Sequence, residues 1–338
     1  MTRIFYDYPL ISHNTFGMDV KASVFAEFES EDDLRSLLTN DTLAPYLQHC
    51  IVIGAGSNLL FGSDFEGLVL HSRITDLTVV QETDEYVKVR VGSGYVWDDF
   101  VAWSVKQGYF GAENLSAIPG EVGASAVQNI GAYGAEVSQL IECVEAMDKQ
   151  GNLRVFSNEE CCYGYRDSIF KGELKGQYVI THVTYRLMKQ PCWKLDYGNL
   201  HAEVELRGEP SGTVVRDAVQ SIRKAKLPDP AVTGNAGSFF KNPVVAREHY
   251  EHLRDVYASI PCYPVDEKHV KVPAGWLIEQ CGWKGRRWGR VAVHEKQALV
   301  LVNLGGATGN EVLELANRIA DDVERKFGIR ITPEVNYI

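Results

Sequence analysis

Four runs of glycine and small residues carry most of the chemistry this 338-residue sequence could do. The first, Gly54-Ala-Gly-Ser-Asn58, follows a short apolar stretch, Cys50–Ile53. A strand that delivers two glycines can bring backbone N–H groups close to a phosphate. No glycine stands at position 59, so the dinucleotide fingerprint GxGxxG is absent, and a plain structural turn stays open. The second run, Gly92-Ser-Gly94, reads as a turn. The third, Ile118 to Gly134, holds four glycines and almost no charge in 17 residues and fits neither the helical nor the strand period. Small side chains let backbone lie against a large flat ligand and offer it N–H donors. Gln128, Asn129 and Tyr133 add polar groups that a merely tight loop would not need. The fourth, Gly234 to Pro243, places Ser238 between a glycine and two aromatics. No GxSxG elbow surrounds it, so a hydrolase nucleophile is disfavoured. A hydroxyl there either delivers a proton or caps local backbone.

Charged candidates accompany these runs. Arg166 stands beside Asp167 in Gly164-Tyr-Arg-Asp-Ser168, and its fork suits either a substrate carboxylate or that neighbour. Arg223, Lys224 and Lys226 face either phosphates or water. Glu334 alone is uninformative.

The elements that must position these groups follow from periodicity. Glu31–Thr39 reads as a helix with Leu34, Leu37 and Leu38 on one face. Strands are expected at 50–53, 68–71, 77–81, 87–91, 141–148, 153–156, 178–187 and 193–196. In 87–91 the valines point inward, and Lys88 and Arg90 outward. Helices are expected at 97–107, from about 212 to before Pro228, around Tyr250, Leu253 and Val256, and at 310–327 with Gly328 as its cap. A buried strand is expected at 298–303, and 329–335 is β-like.

A chain this long usually forms more than one domain, since a single core stops growing at roughly 250–300 residues. The net charge of −11 disfavours nucleic-acid and anionic-membrane partners but not an anionic small substrate. No leader and no run of about 18 apolar residues is visible. The seven cysteines, odd in number and without CxxC, read as free thiols in a reducing compartment, and no metal site is expected. A soluble, cytoplasmic protein is the expectation.

Taken in order, these segments resemble the MurB family of UDP-N-acetylenolpyruvoylglucosamine reductases. The matching pieces are Asn14-Thr-Phe-Gly17, 54–58, 118–120, 128–134, 164–168, Lys226-Leu-Pro228, 234–243, 274–278, His294 and Pro333-Glu-Val335. Leu195–Leu200 is similar to the tyrosine loop of the family's longer type. One departure is Ala126, where the family often has proline. The resemblance implies an α+β fold: a two-part FAD-binding region of the vanillyl-alcohol-oxidase type plus an α/β substrate-binding domain. The expected domains are 1–68 and 69–211 for FAD, with 329–338 returning to the latter, and 212–328 for substrate.

It further implies non-covalent FAD, NADPH as reductant, UDP-N-acetylglucosamine enolpyruvate as substrate, and a monomer. The expected cofactor contacts are Gly54, Gly56, Ser57, Asn58, Pro119, Gly120, Gly123, Ser125, Gln128, Asn129, Gly131, Ala132, Tyr133, Gly134 and Arg223. The expected substrate contacts are Tyr197, Lys226, Asn242 and Gln297, with Tyr197 on a lid. By the same resemblance Ser238 gives the proton, and Arg166 and Glu334 stabilise the enolate-like state. Two anions repel, so Glu334 is expected to act protonated or coupled to Arg166. Lys226 is a candidate to activate Ser238 or to bind phosphate. An FAD oxidase of the same fold and a non-catalytic nucleotide-sugar binder are the rivals.

Overall fold

The computed structural model describes residues 2–338. The chain forms two units: Met1–Tyr8, Ala22–Gly56 and Phe65–Ala225 in the first, and Pro9–Lys21, Ser57–Asp64 and Lys226–Ile338 in the second.

The first unit is built on two sheets. In the smaller, the strand order is Arg3–Pro9, Lys21–Phe28, Phe65–Ser72, Cys50–Ile53, and the last three run parallel. Parallel neighbours need a crossover, and the helix Glu31–Leu38 supplies part of one. Its Leu34, Leu37 and Leu38 pack on Val24, Phe28, Leu68 and Leu70, as the leucine spacing predicts.

The larger sheet is antiparallel, ordered Leu153–Ser157, Ile141–Asp148, Tyr178–Met188, Tyr86–Gly92, Leu77–Glu82. Val87, Val89 and Val91 are fully buried with Trp97, Phe100 and Val101 of the helix Trp97–Lys106. On the outer face Lys88 bonds Glu142 at 2.6 Å and Arg90 bonds Glu145 at 2.7 Å. The alternation of 87–91 therefore has the sense expected.

The second unit has a four-stranded sheet, ordered Gly234–Ser238, Val300–Asn303, Val291–Val293, Arg287–Trp288, and a small three-stranded one. Its long helix, Gly309–Phe327, buries Val312, Leu315, Ala316, Ile319, Val323 and Phe327. Thr308 and Glu311 form a capping box at its start, and Gly328 ends it at φ +64°.

Four expectations about local structure are corrected. Within 118–134, Val122–Gln128 is a helix. Its glycine, alanines and serine give no apolar stripe, so no period was there to find. Trp193–Asp196 is irregular, because its apolar residues pack on the helix Gly212–Lys226 rather than pairing in a sheet. The helix near 250 is confirmed as Arg247–Val256, but Val256 is exposed and only Tyr250 is buried. The start of the fourth glycine run, where the sequence suggests no strand, forms the strand Gly234–Ser238.

No disulfide joins the seven cysteines. Burial pushes the Cys50 and Cys161 thiols up to about 11, so they stay protonated. Among the described residues no helix is long and apolar enough to cross a membrane.

Removing the cap hydroxyl with Thr308→Ala leaves orphan N–H groups at the start of the long helix. We expect a loss of about 1 kcal/mol, or about 2–4 °C in Tm, read by thermal denaturation.

Candidate active site

In the first unit the glycine runs lie against one another. A Cβ on Gly54 would sit 3.1 Å from Oε2 of Glu121 and 3.5 Å from Cβ of Ala124. The first run therefore touches the third at the start of the helix Val122–Gln128. Beneath them Nε2 of the buried His71 lies 3.0 Å from Glu121 Oε1. The second run seats the third: Gly123 N–H donates to Ser93 O at 2.8 Å, and a Cβ on Gly123 would be 2.9 Å from that of Ser93. Gly94 is tighter still, since a Cβ there would meet Ser72 O at 2.3 Å. Gly120 sits at φ +135° and its carbonyl accepts from Trp97 N–H at 3.0 Å.

Beyond this helix the chain makes a hairpin of Gly131–Ala132 against Ala135–Glu136. Tyr133 at φ +48° and Gly134 at φ +79° form its two-residue turn. Two positive φ angles in succession mark a type I′ turn, which matches the strand twist. Asn114 holds the tip, donating to Tyr133 O at 2.8 Å and Lys194 O at 2.7 Å. That ties 131–136 to the segment bearing Tyr197, whose ring meets Tyr133 edge-on at 6.1 Å. Tyr197 is 46% exposed.

Arg223 is partly buried near this tip, and its Nε donates to Ala117 O at 3.1 Å. Burial pulls its guanidinium down from its ordinary value, opposed by Tyr133 and Asp98. Burial likewise pushes the Tyr133 hydroxyl up, while Arg223 pulls it down. Arg216 grips Asp98 with two bonds of 2.6 and 2.8 Å, and Asp98 also accepts Ala117 N–H at 2.6 Å. Sequence reasoning missed Asp98, Asn114 and Arg216, since an ordinary first-turn aspartate gives no signal.

Arg166 adopts φ +56° at the corner of a turn in which Gly164 and Asp167 exchange two backbone bonds of 3.1 Å. It forks onto carbonyls: Nη1 donates to Asn129 O at 3.4 Å, and Nη2 donates to Gly131 O. Asp167 instead accepts Ser168 N–H at 3.0 Å. Gln128 accepts from Lys171 Nζ at 2.6 Å. Ser125 is buried, bonded to Val122 O at 2.7 Å and Tyr185 Oη at 3.0 Å.

The second unit holds the other candidates. Ser238 ends its strand opposite Val300, after a register shift that Gly237 takes up at φ +68°. One residue on, Phe239 O accepts Glu334 N–H at 2.7 Å, and Phe240 bridges Pro333. The segments of Ser238 and Glu334 are thus locked side by side. Asn58 joins them, donating to Glu334 O at 3.3 Å while its own carbonyl accepts Asn336 N–H at 3.0 Å. Asn242 Oδ1 accepts Ala274 N–H at 2.9 Å, capping the helix Ala274–Gln280. Gln297 Oε1 accepts Leu299 N–H at 3.3 Å, and Lys226 is exposed.

The Asp98–Arg216 pair supports this scaffold. Burial alone would raise the Asp98 carboxyl, but the Arg216 fork and Ala117 N–H outweigh it and hold it below its ordinary value. A depressed folded-state value adds stability above the unfolded value and loses it as pH falls through the folded one. We expect Asp98→Asn to cost about 1–3 kcal/mol at neutral pH. The gap to the parent should narrow only below about pH 4, as urea denaturation at several pH values would show.

Comparison with known proteins agrees with these parts. Residues 22–157 match the FAD binding domain family, and residues 229–338 match the C-terminal domain of UDP-N-acetylenolpyruvoylglucosamine reductase. The reductase of that name from Bacteroides fragilis is 53% identical over 98% of this chain and 99% of its own length. That from Porphyromonas gingivalis is 52% identical over 98% of each. The crystal structure of the reductase (MurB) from Thermus caldophilus shares the fold, with a TM-score of 0.66 and 23% identity over 100% of this chain and 98% of that one. With relatives this similar along its whole length, the chain belongs to the UDP-N-acetylenolpyruvoylglucosamine reductase (MurB) family of FAD-dependent oxidoreductases.

Proposed function

We propose that this protein reduces UDP-N-acetylglucosamine enolpyruvate to UDP-N-acetylmuramate at the expense of NADPH, in the cytoplasm, as a monomer, during peptidoglycan synthesis. Support for FAD comes from the glycine runs lying side by side in one unit, where their backbone can share one ligand. Backbone of 54–56 and 118–134, with Arg223, would hold the cofactor. When bound, FAD carries the hydride equivalent from NADPH to the methylene carbon of the enolpyruvyl group.

The remaining chemistry falls to side chains. Hydride addition leaves an electron pair on the neighbouring carbon, shared with its carboxylate. A fixed cation or hydrogen-bond donor aimed at that charge lowers the barrier. Arg166 is that cation, with Glu334 as the second stabilising group. Ser238 gives its proton to the carbanionic carbon, completing the C–H bond, and is reprotonated from water. Lys226, Asn242 and Gln297 bind substrate, and Tyr197 closes over it.

The observation that supports this most is the bond from Glu334 N–H to Phe239 O, which holds the segments of Ser238 and Glu334 side by side. The test is Ser238→Ala in anaerobic rapid mixing. Flavin bleaching by NADPH should keep its rate, and recolouring by substrate should slow about 10²–10⁴-fold. Equal slowing of both halves would remove Ser238 as proton donor.

A further inference from the structure

We infer that Asn129 is a positioning residue for Arg166, and this rests on Arg166 acting on the substrate carboxylate as proposed above. Asn129 is fully buried at the end of the helix Val122–Gln128, in the left-handed region at φ +46°. Its side chain is engaged by protein on both sides. Nδ2 donates to Gly164 O at 2.7 Å and to Glu136 Oε2 at 3.2 Å, and Oδ1 accepts Ser138 N–H at 3.1 Å.

Two of its contacts converge on Arg166. Gly164 opens the turn on whose corner Arg166 sits, so the Asn129 amide anchors that turn. The backbone carbonyl of Asn129 then receives Nη1 of the same arginine at 3.4 Å. Arg166 is not glycine, yet it sits at φ +56°, a conformation that persists only where the surroundings impose it. From the far side of the turn, Lys171 Nζ donates to Arg166 O at 3.3 Å. Gly131 supplies the clearance, since a Cβ there would lie 2.6 Å from Nη1. The buried amide therefore anchors the turn that carries the cation, the carbonyl of the same residue receives its fork, and small misplacement of such a group is costly.

The test is a double-mutant cycle on the FAD-loaded protein, with Asn129→Gly, Arg166→Lys and the pair. Glycine keeps the left-handed backbone and removes only the amide. For Asn129→Gly, measured per bound flavin, recolouring by UDP-N-acetylglucosamine enolpyruvate should slow about 10–100-fold more than bleaching by NADPH does. The pair should be no slower than Arg166→Lys alone, because both changes disable one group. Gly131→Ala, which crowds the same fork without touching Asn129, should show the same non-additivity. Multiplying effects, or FAD lost from both Asn129→Gly and Gly131→Ala, would overturn the inference. Recolouring unaffected by Arg166→Lys would instead overturn the role of Arg166 itself.

Discussion

Much of the first unit is organised by places where a methyl group cannot fit. Backbone passes so close to backbone at Gly94 and Gly123 that a Cβ would fall within 3 Å of Ser72 or Ser93. These contacts stack the turn after Tyr86–Gly92 under the helix Val122–Gln128, and that helix under Gly54. Packing at this distance has a large dispersion gain and little tolerance for shift. It also explains why the helix reaches the core with so little apolar bulk: Val122 and Ala126 are fully buried against the larger sheet. Ala126 keeps an N–H for the helix ladder that proline would lack.

The second unit solves its positioning problem with buried amides. Asn14 binds Leu10 O, Met18 O and Met18 N–H, fixing the loop 14–18. Asn303 then donates to Phe16 O at 2.9 Å, and Thr15 exchanges bonds with the backbone of Asn235. The Asn235 side chain in turn holds Thr233 O and Gly237 N–H. Each buried amide is satisfied, and a network of this kind specifies one arrangement because a half-made version is expensive. Its product is a fixed approach of the chain to Ser238. The Asn14-Thr-Phe-Gly17 segment, which carries no chemistry in the sequence, thus has a mechanical reason to be there.

What could be read from sequence follows the same division. Helices 31–38, 97–106, 212–226 and 309–327 each bury a broad apolar stripe, and a stripe is a local signal. Val122–Gln128 has no such stripe and Trp193–Asp196 has apolar residues without a strand partner, so period and composition pointed elsewhere. The glycine runs were legible as unusual but not as mutual contacts, because their partners lie tens of residues away.

Arg166 shows the limit most clearly. Adjacent opposite charges in Arg166-Asp167 suggest a local ion pair. The side chain reaches two main-chain carbonyls more than thirty positions earlier, and Asp167 accepts a backbone N–H. Carbonyl acceptors belong to every residue type, so no composition or spacing marks them. Only the folded chain, by bringing 129–131 beside 166, supplies the acceptors that hold this fork.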